Sequence, residues 1–141
     1  MSDAVGAIMG RYCDAWNRHD VESILALHTD DTVFENHTSG GLAVGKEELR
    51  RMLQGIFAAL PDLHFDTRRA YFRDDVAVVE WTATATHATA FERGGLTVPA
   101  TGKKISWNGM DIIPMRDGLV ARKDVYADSM TFLKQLGVPL P

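Results

Sequence analysis

The chain has 141 residues, 45% of them hydrophobic, with 15 Lys and Arg against 19 Asp and Glu. That length and hydrophobic share are enough for one ordinary domain over 1–141 that buries its own core without metal or disulfide staples. A formal net charge of −4 and scattered cations exclude a nucleic-acid partner, whose phosphates demand clustered Lys and Arg.

Val5, Ile8, Met9, Tyr12 and Trp16 fall on one face of a first helix that ends in the turn-prone stretch 17–20. Asp20 can cap a second helix with apolar positions Val21, Ile24, Leu25 and Leu27. A short strand over 32–36 then runs into a flexible Thr-Ser-Gly-Gly segment. Leu49, Met52, Leu53, Ile56, Phe57 and Leu60 mark a third amphipathic helix, stopped by Pro61. From there the period changes to alternation, predicting strands over 65–72, 76–89, 104–115 and 119–127, punctuated by Asp74-Asp75, Gly94-Gly95 and Asp117-Gly118. Asp128 can cap a last short helix through Leu136. Helices gathered ahead of a meander predict an α+β fold whose antiparallel sheet packs one face on the helices.

Several chemistries lack their signatures. Neither a phosphate-cradling glycine loop nor a Gly-x-Ser-x-Gly elbow is present. The five histidines show no paired metal-ligand spacing and Cys13 stands alone, so no metal and no cofactor are expected. A single cysteine, an acidic N-terminus (Met-Ser-Asp-Ala-Val-Gly) and the absence of an apolar run of about 18 residues lead to the expectation of a cytoplasmic protein with no membrane partner.

The stretch Arg11-Tyr12-Cys13-Asp14-Ala15-Trp16-Asn17, followed by Ile24 to Asp31, resembles the opening of ketosteroid isomerases and their SnoaL-like cyclase relatives, in the nuclear-transport-factor-2-like superfamily. Pro99 to Lys103, Gly109-Met110-Asp111-Ile112, Arg116-Asp117-Gly118 and Lys134-Gln135-Leu136-Gly137 are similar to the cyclase C-terminal half. The resemblance implies a cone-shaped, curved antiparallel sheet wrapped around N-terminal helices, with an internal cavity for a small apolar or aromatic ligand, and a homodimer. From the isomerases it implies that Tyr12 and Asp111 hydrogen-bond a substrate carbonyl. The isomerase base position falls on Asn36, whose amide accepts no proton at neutral pH, and the cyclase acid/base position on Val125.

Asp111 lies in a mostly apolar strand, where burial would raise its pKa and keep it able to donate. The Asp117-Gly118 turn decides what faces it: a two- or four-residue loop pairs it with Asp124, a three-residue loop with Lys123. A facing ammonium would pull the pKa down and make a structural ion pair. The resemblance, which puts Val125 in the cavity, implies that Asp111 shares its face with Lys123 and Val125, leaving Asp124 a solvated surface acid. His37, an imidazole and so a common proton carrier, and Glu35 are alternative bases at the end of the first strand. Trp16, Trp81 and Trp107 are candidate walls for a flat ligand. His87 reads as a satisfied core histidine, and His28, where relatives commonly have phenylalanine, as a polar group near the cavity.

The resulting expectation is a cofactor-independent acid/base enzyme (isomerase, cyclase, hydratase or dehydratase) on a small apolar carbonyl compound. Tyr12 and Asp111 would donate to an oxyanion and His37 would move the proton, while Trp16, Asn36, Trp81, Trp107 and Val125 hold the substrate. The alternative is a ligand-binding or oligomerising module without catalysis.

Overall fold

In the computed structural model, residues 2–93 and 95–139 are described, and the loop glycine Gly94 lies outside them. Helix α1 (Ser2–Asn17) buries Val5, Met9, Tyr12 and Trp16 of the stripe expected from the 3.6-residue period, with Ala15 beside them and Ile8 half-buried. Helix α2 (Val21–Ala26) is capped by Asp20, whose carboxylate accepts from the Ser23 N–H. Strand β1 (His28–Asn36) starts four residues earlier than its apolar pattern, because its first half buries polar side chains, His28, Thr29 and Thr32. A short β2 (Leu42–Val44) follows, missing from the sequence reading, and then α3 (Lys46–Ala59).

Strand β3 (His64–Phe72) leads to β4 (Val76–Thr86), which ends three residues short of its predicted limit, and to a small hairpin, β5 (Phe91–Arg93) with β6 (Leu96–Val98), also unforeseen. Strands β7 (Lys104–Arg116) and β8 (Leu119–Ala127) and helix α4 (Ser129–Gln135) complete the order. The main sheet runs β2-β1-β8-β7-β4-β3, antiparallel except where β1 lies parallel to β8. The helices pack on one face of this curved, unclosed sheet, so the α+β cone is the observed architecture. Ala77, Val79, Trp81, Ala83 and Ala85 alternate inward along β4, and the core gathers between them and α1.

One irregularity decides what the cone holds. The β7–β8 turn is a two-residue Asp117-Gly118 loop with positive φ at both positions, which by itself pairs Asp111 with Asp124. However, the pairing Met115↔Val120 becomes Ile112↔Asp124 further along, so β8 carries one extra residue between Val120 and Asp124. The bulge sets Asp111 opposite Val125 and turns Lys123 and Val125 inward, Asp124 outward.

Candidate functional site

Asp111, on β7, and Lys123, on β8, are both buried, and their Oδ2 and Nζ atoms lie 3.3 Å apart. Around the ammonium stand three rings contributed by α1 and β1: Trp16 at 4.0 Å from its centroid, Tyr12 at 5.0 Å and Phe34 at 5.4 Å. Ring faces attract a desolvated cation, so the cage favours the charged form of Lys123. Burial drives the Lys123 pKa down, but Asp111, with Tyr12 and Cys13 adding to it, outweighs burial so that the net shift is upward. For Asp111 burial prevails: it pushes the carboxyl up, with Lys123 pulling against it.

The pair borders two spaces. A main cavity of about 180 Å³ lies between α3 and the sheet, walled by Trp16, Phe34, Phe65, Trp81, Trp107 and Val125, with Asn36 near its rim. Behind the pair is a chamber of about 30 Å³, lined by Tyr12, Cys13, Trp16, Thr67, Val79 and Trp81 among others. Asn36, Leu60, Trp107 and Ala127 also line an outer vestibule of about 370 Å³, together with Phe91 of β5 and Phe132 of α4. Three buried polar atoms without a hydrogen-bond partner belong to side chains that line both inner spaces: Asp111 Oδ1, Trp16 Nε1 and Trp81 Nε1. The Trp81 N–H acts on Asp111 to lower its pKa, although the two make no hydrogen bond of ordinary geometry.

Tyr12 is buried as expected, but its hydroxyl faces His28 Nε2 at 2.9 Å, and His28 Nδ1 faces Thr32 Oγ1 at 2.7 Å. Thr32 donates onward to the Val120 carbonyl at 3.5 Å, so Nδ1–H donates to Thr32 and Nε2 accepts from Tyr12. Burial lowers the His28 pKa to about 3, with the Lys123 and Lys46 charges adding to it, which keeps this chain neutral. The hydroxyl is therefore used within the fold, between α1 and β1. Burial also raises the Tyr12 pKa.

His37 and Glu35 lie on the outer side of the sheet, because Asn36 takes the inward position at the end of β1. His37 Nε2 pairs with Asp124 Oδ1 at 2.7 Å and its ring stacks on Tyr126 at 4.5 Å. Asp124, read as a solvated acid, is instead half-buried and held well below the usual carboxylate range by Arg122. Glu35, His37 and Asp124 each place one ligand atom within 4.8 Å of the others, yet the Arg122 guanidinium donates to both carboxylates. That guanidinium already supplies a positive charge to both carboxylates. His87 is a core histidine: Nδ1 accepts from the Thr101 N–H at 3.2 Å, and only Nε2 is without a partner.

Of the side chains singled out from sequence, Asp111, Tyr12, Trp16, Asn36, Trp81, Trp107 and Val125 line these spaces and His37 does not. The residue undervalued there is Lys123. The resemblance sets Lys123 on the same face as Asp111, but as a structural ion pair and not as part of a site, and the bulge that aims it leaves no mark in composition or periodicity. Gly109 was also missed: a Cβ there would lie 2.3 Å from the Trp81 ring, so this glycine makes the room in which Trp81 lies.

No helix among the described residues is long and apolar enough to cross a membrane. No functionally curated protein matches the sequence. Among solved structures, the fold is similar to AclR of Streptomyces galilaeus, assigned provisionally as a hydroxylase (26% identity, 100% of each chain, TM-score 0.80). It is also similar to a provisionally assigned SnoaL-like polyketide cyclase of Jannaschia sp. CCS1 (17% identity, 99% of this chain and 96% of that one, TM-score 0.84). A third is TerC, co-crystallised with polyporic acid (16% identity, 95% and 98% covered, TM-score 0.75). The model of the SnoaL-like domain matches residues 9–123, most of the chain, and with the cone and its cavity already in place, the protein belongs to the SnoaL-like domain family.

Proposed function

We propose that this protein is a cofactor-independent acid/base enzyme acting on a small, flat, largely apolar carbonyl compound. One observation carries the reading: an unpartnered carboxylate oxygen and two unpartnered indole N–H groups, all on buried side chains, line one aromatic cavity beside a buried ammonium. Buried polar groups are ordinarily paired, and this set is complementary to a carbonyl oxygen next to an acidic C–H. Asp111 Oδ1 would take a proton from the carbon next to the carbonyl. The ammonium of Lys123 would meet the charge that develops on oxygen. A carboxyl pushed up by burial is a more effective base near neutral pH than an ordinary one.

This reading moves the proton-transfer role from His37 to Asp111, and leaves Tyr12 as the residue that positions the α1 wall. A relative co-crystallised with polyporic acid supports a ligand in a cavity of this fold. A non-catalytic carrier is favoured by a different observation: Asp111 already spends one oxygen on Lys123, and Asn36 and Val125 stand at the acid/base positions that the resemblance implies.

The test uses 2-tetralone, whose α-proton exchange in D2O is followed by NMR, and 2-naphthol, whose binding is followed by tryptophan fluorescence. Wild type is expected to exchange the α-protons, and Asp111→Asn to lose roughly 10²- to 10⁴-fold of that rate while still binding 2-naphthol. Binding of 2-naphthol without exchange across a panel of aromatic ketones would establish the carrier instead.

A further inference from the structure

We propose that the chamber behind the Asp111–Lys123 pair is a water site, filled through a second opening between α1 and β3, by which Asp111 exchanges its proton with solvent while a ligand occupies the main cavity. The proton-exchange role rests on the acid/base reading of the pair; the water site and its opening rest on geometry alone.

The chamber measures about 30 Å³, against the roughly 10–15 Å³ that one water requires. Apolar holes of that size stay dry, but this one is lined by side chains that carry unpartnered polar atoms. Asp111 Oδ1, Trp16 Nε1 and Trp81 Nε1 are unpartnered, on side chains whose residues are 7%, 5% and 5% exposed. An acceptor and two donors are within the two to four partners that a buried water takes. A water there would satisfy groups whose burial is otherwise costly.

The second opening is visible from the other side. A surface groove of about 250 Å³ runs between α1 and β3 and shares Cys13, Thr67 and Val79 with the chamber. On the helix, Gly6 and Gly10 line this groove and add no side chain to it. On the strand, Thr67↔Trp81 is followed by Arg69↔Glu80, so β3 carries an extra residue, Arg68, beside Thr67 and its backbone bends there. Between groove and chamber stand one thiol, one hydroxyl and one isopropyl group. Burial raises the Cys13 pKa, so the thiol remains a neutral, small partition.

The need for such an opening follows from the cavity's shape. A flat ligand seated under Trp107 and Val125 separates Asp111 from the vestibule, so exchange of its proton with solvent while the ligand is bound needs a second path. Behind the pair, protonated Asp111 gives its proton to the water, leaving carboxylate and hydronium, and the hydronium exchanges with bulk water through the groove. Reprotonation runs in reverse, and no other reactant enters.

The experiment records water-to-protein NOEs at the indole N–H of Trp16 and Trp81 in protein with labelled tryptophan, free and saturated with 2-naphthol. Both indoles are expected to show a cross-peak to water that survives 2-naphthol. Cys13→Phe, which fills the partition, is expected to lose it, as is wild type blocked at Cys13 with methyl methanethiosulfonate should that variant not fold. A dry chamber in the free protein, loss of the cross-peaks on 2-naphthol binding, or their persistence with Cys13 blocked each overturns the proposal. If 2-naphthol does not bind, the ligand reading fails, while the free protein and the Cys13 block still decide the water site and its opening.

Discussion

Within the cone's wall, His28 is a group that water would leave half-charged near neutral pH and that the fold keeps neutral. Its pKa is lowered to about 3, from 6.5, first by burial and then by the Lys123 and Lys46 charges. Because the unfolded chain binds the proton more tightly, this contribution to stability is complete above pH 6.5 and is lost as pH falls from 6.5 toward 3. Urea unfolding across that window is expected to show a His28-dependent slope of up to about 1.4 kcal/mol per pH unit. His28→Gln, which can accept from Tyr12 and donate to Thr32 without titrating, is expected to abolish that part of the slope; an unchanged profile would mean that the acid sensitivity lies elsewhere. Lys123 gives the complementary prediction. Lys123→Met strands the Asp111 carboxylate in the core, where an uncompensated buried charge costs about 3–5 kcal/mol. Adding Asp111→Asn to the same chain should recover most of that loss in urea midpoint, whereas two independent residues would lose stability additively.

Among the elements, β7 and β8 position the pair, and they do so through features of unequal legibility. The alternation of β4 and β7 and the α1 stripe could be read directly, since each has one face in the core and one outside it. By contrast, β1 hid its first half, because His28, Thr29 and Thr32 are polar residues in buried places, and hydrophobic periodicity is blind to those. The bulge in β8 was equally invisible: a two-residue turn alone would have set Asp124 against Asp111, and one inserted residue brings Lys123 and Val125 to the inner face instead. Gly109 on β7 lies directly across from Trp81 on β4. With a Cβ 2.3 Å from that ring, Gly109→Ala must displace the indole or bend the strand. The expected cost is about 1–3 kcal/mol of overpacking, with a change in the Trp81 fluorescence maximum that Trp81→Phe removes. A variant with unaltered stability and emission would show that the strand yields at that point without effect on the cavity.

Over the whole molecule, the cavity is a joint product of the helical and strand halves: Trp16 comes from α1, Ile56 from α3, Phe34 from β1 and Trp81, Asp111 and Val125 from the sheet. A ligand seated among them touches both halves at once, and it can bind only when the cone is closed. Its binding energy therefore acts on the folded state as a unit. At a ligand concentration 100 times the dissociation constant, mass action adds about 2.7 kcal/mol to stability. For a chain of this length that corresponds to a rise of roughly 10 °C in melting temperature. Calorimetry with 2-naphthol is the direct measure, and the same rise should shrink in Trp107→Ala, which opens the wall shared by cavity and vestibule without touching the Asp111–Lys123 pair. A ligand that shifts the melting temperature equally in wild type and Trp107→Ala would be binding on another surface, and the polar atoms lining the cavity would then need a different occupant.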